Sequence, residues 1–140
     1  MSDILIGIST YNEIENLPTL VEEIDEHLPQ ADILIMDDNS PDGTGEWGLE
    51  QAQARNDFYC VQRAGKLGLG TATIATMQFA IEHGYRFLIN MDADRSHPAA
   101  KLPELVAAGE DVDVVVASRY VPGGKVVGWP LHRRLMSRCV

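Results

Sequence analysis

The sequence predicts an α/β protein built on an open, doubly wound, mostly parallel sheet flanked by helices. Five short β-branched runs, at 4–8, 33–36, 58–62, 87–91 and 112–117, are apolar at successive positions instead of alternating. Strands covered on both faces read this way. Helical patterns lie between the runs, and alternation of strand and helix builds βαβ units. With 140 residues, 45% of them hydrophobic, the chain suits one compact core.

The first run leads into Thr10-Tyr11-Asn12-Glu13, and a helix follows in which Leu17, Leu20, Val21, Ile24 and Leu28 obey the i, i+3, i+4 rule. The second run ends in Asp37-Asp38-Asn39-Ser40-Pro41-Asp42-Gly43. Its oxygen residues at alternate positions resemble the start of a calcium loop, but a strand precedes it and Leu49 stands where a ligating Glu belongs. Pro41-Asp42-Gly43 is read as a turn that caps the next helix through Thr44. The third run leads to Arg63 and the segment Gly65-Lys66-Leu67-Gly68-Leu69-Gly70. Its order is GxxGxG, neither the dinucleotide GxGxxG nor a P-loop, so a flexible turn and a direct ligand contact both stay open. The helix beginning near Thr71 is expected to bury Ile74, Met77 and Ile81. The fourth run ends in Asp92-Ala93-Asp94 and the fifth in Ser118-Arg119-Tyr120. Pro122, Gly123, Gly124 and Gly128 then form a loop, and 129–139 carries Trp129, Leu131, Leu135 and Met136 beside basic residues, the pattern of a short amphipathic helix.

Polar clusters thus follow every expected strand. In open α/β sheets the ligand crevice lies outside the carboxyl ends of the strands, so all five clusters point to one cleft. Asp92 and Asp94, on a turn after an apolar strand, suit one hard cation, Mg2+ or Mn2+, shared with a diphosphate. Asp38 is placed to accept hydrogen bonds from a base or ribose, Tyr11 to stack on a base, and Lys66 to meet a diphosphate. His97, before Pro98, reads as a local cap or a solvated residue. No nucleophile elbow or Ser/His/Asp order supports covalent hydrolysis.

A formal net charge of -10 argues against a nucleic-acid partner. The basic residues Lys125, His132, Arg133, Arg134 and Arg138 gather near the end, where they suit an anionic partner. Cys60 and Cys139 fit neither a disulfide framework nor a zinc site. The residues after Met1 show no basic-then-apolar leader pattern, and no apolar run approaches the ~18 residues of a membrane span. The expectation is a cytoplasmic protein, peripheral at the cytoplasmic face of a membrane.

The succession STYNEIENLP, DDNSPDGTGE, RAGKLGLGTA, MDADRSHP, SRYVPGG and GWPLHRRLMSR resembles, in order and spacing, the dolichyl (polyprenyl) phosphate mannosyltransferase family of family-two glycosyltransferases. The resemblance covers almost the whole chain. It implies a GT-A, Rossmann-like fold that binds GDP-mannose with a divalent metal and passes mannose to a polyprenyl phosphate. It further implies that Tyr11, Glu13, Met36 and Asp38 hold the guanosine, that Asp92, Ala93 and Asp94 lie at the metal–diphosphate site, and that Arg119 meets phosphate. Arg133, Arg134 and Ser137 match the acceptor-side segment. Ser9 stands where the family has Pro, and Arg95 where it has Leu, adding a charge directed to phosphate or to solvent. Family members continue beyond the equivalent of Val140, so the chain resembles a C-terminally truncated member. Residues 1–120 are read as the nucleotide-sugar-binding domain and 121–140 as its acceptor loop and amphipathic segment.

The expected chemistry is direct displacement at the anomeric carbon with inversion. A phosphate monoester, with a second pKa of about 6, is already a nucleophile at neutral pH and needs no strong general base. Asp94, with Asp92, would hold the cation that relieves charge on the departing nucleoside diphosphate. The alternatives are a transferase using another donor such as UDP-glucose, and a nucleotide- or metal-binding module without catalysis.

Overall fold

A computed structural model describes residues 2–66, 68–118 and 120–121. Four strands, β1 (Ile4–Thr10), β2 (Asp32–Asp37), β3 (Phe58–Gln62) and β4 (Phe87–Asp92), form one sheet in the order β3-β2-β1-β4. Every pairing is parallel. Connections run through α1 (Leu17–His27), α2 (Thr44–Ala54) and α3 (Leu69–Glu82), and a 3-10 turn (Ala99–Lys101) leads into α4 (Leu102–Gly109). The register sets Thr10 beside Asp37, Asp37 beside Gln62 and Ser9 beside Asp92, which brings the four carboxyl ends level.

The two faces of the sheet are filled unequally. On one face Ile6, Ile8, Ile33 and Ile35 pack with Leu17, Leu20, Val21 and Ile24 of α1, Trp47 of α2 and Leu102 of α4. The expected face of α1 is the buried one. On the other face Leu5, Leu34 and Met36 pack with Ala72 and Ala80 of α3.

The orientation of α3 reverses the expectation. Ile74, Met77 and Ile81 are exposed, while Ala72, Thr76 and Ala80 face the sheet. The cause is close approach: a Cβ added at Gly7 would lie 2.2 Å from Thr76 Cγ2. Only small residues fit between backbones so near, and the bulky stripe is turned outward. In α2 the same logic operates, because a Cβ at Gly48 would lie 2.7 Å from Cys60 Sγ.

The fifth expected strand does not form. No residue within 112–117 belongs to a strand, and Val114 and Val116 are exposed. A run apolar on both faces needs cover on both. Among the described residues only one side contributes, with Val115 Cγ2 3.9 Å from where a Gly109 Cβ would stand.

Candidate functional site

Because the strands are parallel and their ends level, the segments after β1, β2, β3 and β4 meet at one edge. Asn12 and Asn39 adopt the left-handed conformation, with φ of 61° and 59°, and turn the chain sharply at the first two strand ends. The loops after β1 and β2 are then sewn together. Asp38 N–H donates to Thr10 O (3.0 Å), Asn12 N–H to Ser40 Oγ (2.9 Å) and Glu13 N–H to Thr44 Oγ1 (3.0 Å). Ile14 N–H donates to Asp42 Oδ2 (3.2 Å). Side-chain oxygens of one loop thus satisfy backbone donors of the other.

Asp37 is fully buried at the centre of this ledge. It accepts hydrogen bonds from Thr10 Oγ1 (3.0 Å), Ser40 N–H (2.9 Å) and Ser40 Oγ (2.5 Å). A Cβ at Gly45 would lie 2.8 Å from Asp37 Oδ2, so the first turn of α2 closes directly over the carboxylate. A negative group is favourable at a helix N-terminus. Burial, followed by the charge of Asp37, pushes the neighbouring Cys60 thiol up to about 11.

The cap of α2 differs from the expected one. Asp42, not Thr44, supplies the acceptor: its Oδ1 receives Thr44 N–H (3.0 Å) and Thr44 Oγ1 (2.6 Å). Desolvation opposes ionisation of Asp42, but hydrogen bonds from Thr44 and Ile14 outweigh it and hold the carboxyl below its ordinary value. Gly43, at φ 93°, makes the turn between them.

Asp38 is nearly enclosed as well, and its Oδ1 receives Arg63 Nε at 2.6 Å. Tyr11 lies at the rim with its ring partly open, and Lys66 Nζ sits 4.1 Å from the ring centroid, a cation–π contact. Glu13, half-buried, accepts from Asn16 Nδ2 (2.9 Å). The Met36 side chain is 2% exposed and packs in the α3-side core. Gly68, at φ 94°, requires its glycine, whereas a Cβ at Gly65 or Gly70 would meet nothing within 4 Å.

At the end of β4 the carboxylates are open. Ala93 is buried in the same cluster as Leu17 and Ala99, and this inward side chain leaves Asp92 and Asp94 facing out. Asp94 Oδ1 accepts Ser96 N–H (2.9 Å), and Asp92 N–H donates to His97 Nδ1 (3.1 Å), so His97 supports the turn locally. Arg95, left-handed at φ 59°, pairs with Glu23 of α1. Its side chain remains about half exposed in that pair. Among the described residues no group of three or more His, Cys, Asp or Glu could hold a metal ion. Two outward carboxylates fit a cation that takes its remaining oxygens from a bound diphosphate, the usual arrangement for magnesium.

Arg119, Arg133, Arg134 and Ser137 lie outside the described residues, as does the expected amphipathic segment. No described helix is long and apolar enough to cross a membrane. Arg63 is the residue that reading by motif left unassigned. It stood in a noted polar cluster, but its partner depends on the pairing of β2 with β3.

Curated relatives match nearly all of the chain. An undecaprenyl-phosphate mannosyltransferase of Micrococcus luteus is 44% identical over 96% of this chain and 55% of its own length. A polyprenol monophosphomannose synthase of Mycolicibacterium smegmatis is 43% identical over 96% of this chain and 51% of its own length. A dolichol-phosphate mannosyltransferase of Pyrococcus furiosus is 40% identical over 94% of this chain and 37% of its own length. The chain therefore spans about half or less of the curated relatives it matches. A solved mannosyltransferase of Pyrobaculum calidifontis, in complex with GDP-Man and Mn2+, superposes with a TM-score of 0.64 at 22% identity, over 84% of this chain and 36% of that one. That likeness establishes the GT-A fold. Residues 5–139 match the family described as Glycosyl transferase family 2, and the chain belongs to that family.

Proposed function

We propose that this chain is the donor-binding part of a polyprenyl-phosphate mannosyltransferase, transferring mannose from GDP-mannose to a polyprenyl or dolichyl phosphate with inversion. The observation that carries the reading is the pairing of a closed carboxylate site with an open one at the same sheet edge. Asp38, beside Tyr11, suits the nucleoside, and Asp92 with Asp94 suits the diphosphate. The names of three relatives, and the GDP-Man and Mn2+ in the solved neighbour, support the same donor and acceptor classes.

In this reading Tyr11 stacks on the base, and Glu13, Met36 and Asp38 hold the guanosine with it. Lys66 moves from the Tyr11 ring toward the diphosphate. Asp92 and Asp94, set outward by Ala93, hold Mg2+ or Mn2+, which supplies charge neutralisation on the leaving diphosphate. Arg119 meets phosphate on the donor side, and Arg133, Arg134 and Ser137 hold the acceptor phosphate. Residues 1–120 serve as the nucleotide-sugar domain, and 121–140 lie at the membrane surface at its cytoplasmic face.

The second reading is a nucleotide- or metal-binding module without catalysis. Calorimetric titration of GDP, UDP and GDP-mannose with and without Mn2+, followed by mannose transfer to polyprenyl phosphate, separates the two. Preference for GDP with transfer supports the proposal; binding without transfer supports the module. Preference for UDP moves the donor to another nucleotide sugar. Replacing both Arg133 and Arg134 with Gln in the whole protein is expected to raise KM for polyprenyl phosphate and leave donor affinity unchanged. An equal loss of donor affinity would place the pair in the diphosphate pocket.

A further inference from the structure

One guanidinium joins three parts of the site. Arg63 directly follows β3, and its backbone N–H donates to Asp37 O at 2.7 Å, continuing the ladder to the strand end. Its Nε donates to Asp38 Oδ1 at 2.6 Å, with only 8% and 9% of the two side chains exposed. From the same planar group Nη1 donates to Thr71 Oγ1 at 2.9 Å, and Nη2 lies 3.5 Å from Gly68 O. Thr71 Oγ1 in turn donates to Gly68 O at 2.8 Å, and Ala72 N–H donates to the same carbonyl at 3.2 Å. The first turn of α3 is therefore tied through Arg63 to the carboxylate at the end of β2. Lys66, within the tied loop, rests on Tyr11.

We propose that Arg63 is a positioning residue for nucleoside diphosphate binding, which orients the Asp38 carboxylate and ties Gly68 and Thr71, at the start of α3, to the end of β2. This rests on the reading of Asp38 and Tyr11 as nucleoside contacts. The guanidinium fork is what the geometry requires. It makes one charge-assisted bond inward and two contacts outward at fixed angles, whereas a lysine ammonium on a flexible stem offers charge without the fork. Both nucleoside contacts and loop order thus depend on one side chain that itself faces away from solvent.

The test uses Arg63→Lys and Thr71→Val in the 140-residue chain, with Arg63→Gln as the harsher variant. Amide exchange at Ala72 and calorimetric affinity for GDP are read in each, beside the thermal midpoint. Arg63→Lys is expected to stay folded, lose exchange protection at Ala72 and bind GDP on the order of tenfold more weakly, the loss of about one charge-assisted hydrogen bond. Thr71→Val, which removes one arm, gives a smaller loss in the same direction. A folded Arg63→Lys with wild-type GDP affinity and unchanged Ala72 protection overturns the proposal, leaving only a structural ion pair. Wild-type affinity with lowered protection overturns it too, since loop order would then not serve binding. If the wild-type chain binds no nucleoside diphosphate, the functional reading fails first. The tie between Arg63 and the loop is then judged on exchange alone, and unchanged protection in Arg63→Lys refutes it.

Discussion

The carboxylates at the ends of β2 and β4 flank the same central strand, yet the fold treats them oppositely. Asp37 and Asp38 are enclosed, and between them they receive three protein hydrogen bonds and an arginine. Asp92 and Asp94 are exposed; Asp94 accepts Ser96 N–H, and the Asp92 backbone N–H donates to His97. The first pair is set in place by protein groups alone, so in the proposed reading a nucleoside would meet groups already oriented. The second pair is exposed at the surface, where the proposed cation would be shared with a substrate. Preorganisation and availability are thus divided between two strand ends instead of being compromised at one.

The contrast breaks first at Asp37. Asp37→Ala leaves the Thr10 and Ser40 donors buried without an acceptor, and about 3 kcal/mol of stability is expected to be lost, read by urea denaturation. An unchanged midpoint would mean the β2 end is not preorganised by that carboxylate. Asp38→Ala is expected to weaken GDP binding on the order of tenfold, equally with and without Mn2+, as measured by calorimetry. Asp94→Ala should do the reverse, leaving stability within about 0.5 kcal/mol while abolishing the tightening of nucleotide binding by metal. Metal dependence that survives the change removes Asp94 from the site.

The smallest effect sharpens the comparison at the loop between the two ends. Asp42→Ala removes the cap of α2 and is expected to cost about 1 kcal/mol at neutral pH. Because hydrogen bonds hold the folded carboxyl below its ordinary value of 3.8, this stabilisation is present above that value and is lost as pH falls through the lower folded value. Stability curves of the two proteins should therefore converge in acid and separate toward neutral pH. Parallel curves across that range would show that Asp42 is not the cap.

Much of this was legible in the chain. Successive apolar residues marked the four parallel strands, of which β1 and β2 are buried on both faces while β3 and β4 are only partly covered. The i, i+3, i+4 spacing from Leu17 to Leu28 named the buried face of α1. Polar residues after each strand marked the edge where the site lies. Periodicity failed for α3 because it reports a stripe, not the distance at which a helix packs. The Gly7–Thr76 approach, which turns Ile74, Met77 and Ile81 outward, exists only once β1 and α3 are in place. It failed for Val114 and Val116 because an apolar run becomes a strand only where a neighbour and two covers are available. Arg63 escaped for a related reason: an arginine after one strand acquires meaning from the carboxylate that parallel pairing sets beside it.

The position of β1 also governs the order in which the molecule can be assembled. Its register runs to β2 on one side and to β4 on the other, so its two neighbours come from widely separated parts of the chain. During synthesis β1 and β2 can pair as soon as Asp37 has been made, but the other edge of β1 has no partner until Phe87–Asp92 emerges. Through that interval Ile4, Ile6 and Ile8 offer an open strand edge, the kind of surface on which chains join wrongly. Long-range parallel pairing is slow because loop closure precedes its reward. The Asp92–Asp94 turn therefore acquires its setting later than the ledge formed by the loops after β1 and β2.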